Sequence, residues 1–496
     1  MTCRLQRMPR WLVYAASLLL VLGPATIRAQ EPAAKGKGQP NKVLQAGAAT
    51  SNITPNLGAL IVGNFVQPEA KNVHDELHVR CLVLDNGETQ LAFAICDNVG
   101  IPRSVFDLAK RLVEREAGIP ASHVLMAATH THSGPSARGV NSFNLEAALD
   151  DYQLFVARRI ADGVRRAKGN LQPAKIGWGS AQLPGQVFNR RWLLKPGTPN
   201  ISPFGVQEQA KMNPGVNNPN LVKPAGPVDP EISFISVKSQ DDQPIALLAN
   251  YSLHYVGGVP SGVISADYFG VFAERMSELL SNRWQDPPFV GILTNGTSGD
   301  VNNVNVQPKE PKRYKPYEKM KLVAFEAADA VMAQLSSVKY ADWVPLAAEY
   351  TEIPLAVRKP NEELIAWAKE ILAKPMDAPK KHSLERNYAQ RTLDIAKWPD
   401  QIACPLQAFR IGDLGVTAIP FEVFTETGLE IKDRTPLAKT FTIELANGAF
   451  GYLPTRSQHA LGGYETWLGT NRVEVEAAHK IADTLIEMLE QLKKAK

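Results

Sequence analysis

A chain of 496 residues, 44% hydrophobic and 21% charged, has room for a sizeable core and is neither disordered nor fibrous in composition. Its formal net charge of +4 comes from the amino-terminal segment, where Arg4, Arg7, Arg10 and Arg28 precede any acid; without them the chain is close to neutral. That removes the electrostatic case for a nucleic-acid partner.

The same arginines flank an apolar run from Trp11 to Leu22, which Ile27-Arg28-Ala29 follows. This is the order of an export signal ending at residue 29, and the run is short for a membrane span. An uncleaved anchor is the alternative. Export implies a periplasmic or extracellular location. Residues 30–43 are a polar linker rich in Pro, Gly and Lys, so the folded chain is expected over 44–496. Cys3 lies in the signal, which leaves Cys81, Cys96 and Cys404, too few and too scattered for a disulfide framework or a thiolate zinc site.

Strand-like runs at Cys81–Leu84 and Gln90–Cys96, joined by Asp85-Asn86-Gly87-Glu88, predict a β-hairpin. Helices are predicted at Val105–Ala117 and Leu154–Ala167, with a strand between them at His123–Ala128. Lys195 to Pro230 is rich in Pro, Asn and Gly and reads as a long loop. Strands resume at Phe234–Val237, Pro244–Tyr251 and Phe289–Leu293. Two charged amphipathic helices, Glu362–Leu372 and Ser383–Trp398, form a helical excursion at about 356–403, and a helix over Glu474–Lys494 closes the chain. This alternation predicts an α/β fold: a single large layered domain of mixed β-sheets flanked by helices.

Chemistry concentrates where strands end. AATHTHSGP (127–135) puts His130 and His132 two residues apart, on one face if the strand continues through them. Paired imidazoles running into a turn suit a zinc site. His254 ends the apolar strand of LLANYSLHYVGG. In LTNGTSGDVNN (293–303), small and amide residues let backbone approach a ligand closely. Glu422 in AIPFEVFTETG is a carboxylate among apolar residues and needs a partner, such as a metal. Tyr452 and Tyr464 follow Gly-rich turns. Asp97 is a candidate to orient a histidine, and Asp267 reads as a helix cap.

These motifs, in this order, resemble the neutral (non-lysosomal) ceramidases, amidohydrolases that cleave the amide of N-acylsphingosine. The similarity runs from about Leu44 to Trp467. It includes AGAATSNITP, ATHTHSGP, Asn189-Arg190, VDPEISFISV, the Pro-x-Glu-x-x-Thr around Glu422, and the two tyrosine turns. The resemblance implies Zn²⁺ held by His130, His254, Glu422 and Tyr452, with His132 as general acid–base and Arg190 and Tyr464 stabilising the oxyanion. Hydrolysis would proceed by attack of zinc-bound water on a ceramide-like lipid amide, with transient contact at a membrane surface. Two departures stand out. The family's Gly-Asp-Val-Ser-Pro-Asn reads Gly299-Asp300-Val301-Asn302-Asn303 here, which disfavours a serine nucleophile. The family's C-terminal immunoglobulin-like domain is also expected to be lacking, which puts ceramide itself in question.

Two other readings compete. A dinuclear amidohydrolase barrel also carries HxH at a strand end, with Asp267 or Asp300 as further ligands, and would bind two metal ions rather than one. A non-catalytic binding protein on a ceramidase-like scaffold would keep the metal and hydrolyse nothing.

Overall fold

The computed structural model describes residues 42–63, 66–137, 145, 147–282 and 284–494. The expected export signal and most of the linker lie outside the described residues. Among the described residues no helix is long and apolar enough to cross a membrane.

The hairpin forms as its sequence dictates. His78–Asp85 pairs antiparallel with Gln90–Cys96. At the turn, Asn86 Oδ1 accepts from the backbone N–H groups of Glu88 and Thr89, and Gly87 takes φ 82°. Side chains alternate between two cores: Val79, Cys81 and Val83 face one way, Leu82 and Leu84 the other.

The hairpin is part of an eight-stranded mixed sheet. From one edge its strands are Val290–Asn295, Pro244–Tyr251, Glu231–Ser239, Gln172–Gln182, Gln45–Asn52, His78–Asp85, Gln90–Cys96 and Val124–Ala128. The pairs at both edges are parallel. A second sheet of four strands, Leu346–Ala356, Gln401–Ile411, Leu414–Ile419 and Lys439–Glu444, packs against it. Phe93, Leu125, Leu248 and Ile292 meet Phe409, Val416, Phe441 and Ile443 in the apolar layer between the sheets.

Helices cover the outer faces. Arg103–Ala117 and Asp151–Gly169 pack Phe106, Val113, Ile160 and Val164 on one half of the large sheet. Asp267–Leu280 and Glu318–Leu335 cover the other half with Phe272, Met276, Val323 and Val331. Ala477–Lys494 covers the small sheet with Ile481, Leu485 and Leu489. Asp151–Gly169 starts at a capping box, in which Asp150 Oδ1 accepts from Gln153 N and Gln153 Oε1 from Asp150 N, each at 2.8 Å.

The molecule is thus α/β with layered mixed sheets, as expected. It is not an eight-fold βα barrel, so the dinuclear barrel reading fails on architecture. The 195–230 stretch is not featureless either. Ala210–Met212 and Leu221–Pro224 pair on either side of Arg191–Leu194 to form a three-stranded sheet. Glu362–Ala373 and Glu385–Ala396 stand between the paired strands Leu346–Ala356 and Gln401–Ile411.

Candidate active site

The site lies where parallel strands run out. The strand Val124–Ala128 ends before the histidine pair, so the HxH is not a strand face as its spacing implied. His130 instead takes φ 74°, an uncommon conformation for a side chain with a Cβ, and His132 follows in a turn. The reversal brings both rings together: His132 Nε2 is 3.0 Å from His130 Nε2. His254 arrives from the loop after Pro244–Tyr251, its Nε2 3.1 Å from that of His130.

Ring orientation separates the three imidazoles. His130 Nδ1–H donates to Val99 O at 2.6 Å and His254 Nδ1–H to Ser298 O at 3.1 Å. Each bond fixes the tautomer that leaves a lone pair on Nε2. Two such lone pairs facing each other repel unless a cation lies between them. Nitrogens bound tetrahedrally to one zinc at ~2.0 Å sit roughly 3.3 Å apart, close to the spacing found. His132 differs. Its Nδ1 is buried without a hydrogen-bond partner among the described residues, and its ring stacks on Tyr255 at 3.8 Å between centroids. No carbonyl fixes its tautomer. Burial first, then the neighbouring imidazoles, holds His132 and His254 well below the usual histidine range, so both are neutral at neutral pH.

Glu422 follows the strand Leu414–Ile419 and lies with Oε2 3.4 Å from His130 Nε2. Its backbone pairs with Tyr452, whose hydroxyl hydrogen-bonds to the Glu422 carboxylate. Room for this comes from Gly299, where a Cβ would sit 2.6 Å from Glu422 O. The Asn-Gly-x-Ser-Gly turn therefore does bring backbone close, though to the strand that carries Glu422.

Arg190 donates through Nη2 to Tyr452 Oη at 3.0 Å and through Nε to Glu465 Oε1 at 2.9 Å. Tyr464 stands edge-on to Tyr452, with ring centroids 5.7 Å apart. The structure thus gathers all seven candidate residues. His130, His132, Glu422, Tyr452 and Tyr464 line one cavity of about 840 Å³, with His254 and Arg190 buried immediately behind. His130, His132 and His254 alone offer three nitrogens close enough to share an ion.

Two other expectations need correction. Asp97 orients no histidine; its carboxylate pairs with Arg80 at 2.5 Å and accepts from His78 N. Asp267 is not the cap residue, which is Ala266. At φ 57° its carboxylate accepts from Val256 N and Gly257 N, pinning the loop after His254. Asn302 bonds Asn213 at 2.7 Å and does not line the cavity.

Two buried carboxylates escaped the sequence reading. Glu465 receives Arg190 on one oxygen and Arg191 on the other, at 2.9 and 2.6 Å. Glu444 accepts from Ser298 N, Ser298 Oγ and Val423 N, and so ties the loop carrying His254's partner to the strand carrying Glu422. The signal for Glu465 was its place beside Tyr464; for Glu444 it was one acid inside the apolar strand FTIEL.

No family model matches this chain, and no curated protein matches it by sequence. Solved structures do. The neutral ceramidase from Pseudomonas aeruginosa superposes with a TM-score of 0.68 at 17% identity, covering 92% of this chain and 75% of that one. A structure of a ceramidase complexed with C2 gives 0.67 at 17% identity, covering 92% and 76%. The chain has the fold of the neutral ceramidases.

Proposed function

We propose that this protein is an exported, zinc-dependent hydrolase of N-acyl lipid amides, of which N-acylsphingosine is one, related to the neutral ceramidases. The observation that carries the reading is the convergence of His130, His132, His254, Glu422, Tyr452, Arg190 and Tyr464, from well-separated parts of the sequence, on one cavity. The shared fold supports it.

His130, His254, Glu422 and Tyr452 are the donors that fit a zinc ion, because the first two present fixed lone pairs and the last two supply oxygens beside them. When bound, such an ion polarises a carbonyl and lowers the pKa of water. The chain's residues do the rest. His132, neutral and with its tautomer unfixed, takes a proton from the attacking water at Nε2 and returns it to the departing nitrogen. Arg190, oriented by Glu465, and Tyr464 donate to the oxygen that becomes negative. Water's oxygen bonds to the acyl carbon, the C–N bond breaks, and a fatty acid and an amine leave. No step needs a serine, and position 302, where the resemblance would put one, does not line the cavity.

The apolar part of the cavity wall, Pro55, Leu57, Ala59, Leu60, Val62 and Phe155, suits an acyl chain. The deciding experiment is release of fatty acid from labelled N-acylsphingosine and from a second N-acyl lipid by the zinc-loaded and the chelated protein. Zinc-dependent release is expected. A protein that holds one zinc and releases nothing from either would overturn the reading in favour of a binding protein.

A further inference from the structure

One guanidinium in the cavity has no part in this hydrolytic scheme. Arg391, on the helix Glu385–Ala396, lines the same space as His132, Glu422, Tyr452 and Tyr464. Its Nη1 donates to Tyr388 Oη at 3.2 Å and to Thr470 Oγ1 at 3.3 Å, and the group also bonds the Tyr464 hydroxyl. All three partners are neutral hydroxyls. Arg190 and Arg191, by contrast, share an ion pair with Glu465. Among the described residues no carboxylate pairs with Arg391.

A half-buried cation without a counter-charge favours an anionic ligand, and the planar fork of a guanidinium matches a carboxylate best. The other acids around the cavity do not fill that role. Glu422 sits with the histidines. Asp150 is occupied as the cap of Asp151–Gly169, and Asp151 is exposed at the mouth. Arg391 bonds the Tyr464 hydroxyl, the group placed against the oxyanion, so this cation lies one hydrogen-bonded hydroxyl beyond the oxyanion position. In an N-acyl α-amino acid the carboxylate lies a comparable step beyond the amide, and the apolar wall at Leu57, Leu60 and Phe155 takes the tail.

We propose that the preferred ligand is a long-chain N-acyl amide whose amine portion bears a carboxylate, the N-acyl α-amino acid class, and that Arg391 determines this specificity. Its cleavage rests on the amide-hydrolase reading; its binding does not. Hydrolysis would consume one water, break the C–N bond, and give a fatty acid and a free amino acid.

The test is calorimetric binding of N-lauroylglycine and of its neutral counterpart N-lauroylglycinamide to the chelated full-length protein, where neither turnover nor a metal–carboxylate contact intervenes. The acid should bind about tenfold more tightly, as a charge-assisted hydrogen bond requires. Arg391→Gln should abolish the difference, and Arg391→Lys should retain part of it. Equal binding of the two ligands by the native protein overturns the proposal whether or not any variant folds. So does a preference that survives in folded Arg391→Gln. Cleavage of N-acylsphingosine with no acid preference keeps the hydrolase and removes this specificity; acid-selective binding without cleavage of any N-acyl lipid does the reverse.

Discussion

Glu422 and His132 occupy one cavity but differ in what fixes them, and substitution should separate their roles. Glu422 has its carboxylate against His130 and Tyr452, with Val423 held by Glu444. Glu422→Ala should lose both zinc, measured by metal analysis, and turnover. His132→Ala removes a ring with one idle nitrogen; the variant should keep its zinc and lose kcat by about 10²–10⁴. A His132 variant that loses metal would make that ring a ligand. Glu465→Gln addresses Arg190 at one remove. With the carboxylate gone, two guanidiniums face an amide, and kcat should fall by at least tenfold while zinc content holds. Unchanged kcat would show that Tyr452 alone orients Arg190.

Element by element, much of the fold was legible in the sequence. The hairpin, the strand Pro244–Tyr251 and the helices at 103–117 and 362–373 follow from periodicity and turn chemistry that act locally. The HxH motif was found for its residue types and misplaced in conformation, because a positive φ at His130 answers to tertiary contacts that spacing does not encode. Glu444 and Glu465 stayed hidden because an acid's burial depends on partners 20 to several hundred residues away in the chain. Lys110, on the helix Arg103–Ala117, reads as a surface residue by its type, although its spacing from Phe106 and Val113 puts it on the buried face. It is buried, with Nζ 4.8 Å above the Tyr350 ring on the facing strand, and desolvation pushes it down to about 8. Between pH 8 and 10.5 the unfolded chain therefore holds more protons than the folded one, and this residue's cost to stability fades as pH rises through that window. Lys110→Met should stabilise the protein at pH 7 by roughly 1–3 kcal/mol, after allowing for the lost contact with Tyr350. That gain should vanish near pH 11. Denaturant melts of both proteins at pH 7 and 10.5 check this, and an equal gain at both would mean that the ammonium is not desolvated.

Across the whole molecule, the candidate metal site draws its residues from both sheets, at the rim of the apolar layer that joins them. His130 leaves one edge of the large sheet, His254 the strand beside its other edge, and Glu422 and Tyr452 the small sheet. Bonds already cross these boundaries near the site: Ala128 N donates to Leu445 O, Asn447 N to Met126 O, Gly299 N to Val423 O and Thr425 N to Asp300, and Glu444 reaches Ser298. An ion bound only by the folded state adds stability by mass action, ~4 kcal/mol when present at a thousand times its dissociation constant. At ~2.1 cal/mol/K per residue, a folded unit of this size has an unfolding entropy near 1 kcal/mol/K, so chelation should lower Tm by about 4 °C. The variants make the measurement specific. His132→Ala should keep the full chelator-dependent shift, because its ring is not needed to hold the ion. Glu422→Ala should melt at the same temperature with and without chelator. If chelation removes the zinc from the native protein and Tm does not move, the ion is not bound preferentially by the folded state, and the ligand set proposed for His130, His254, Glu422 and Tyr452 is wrong.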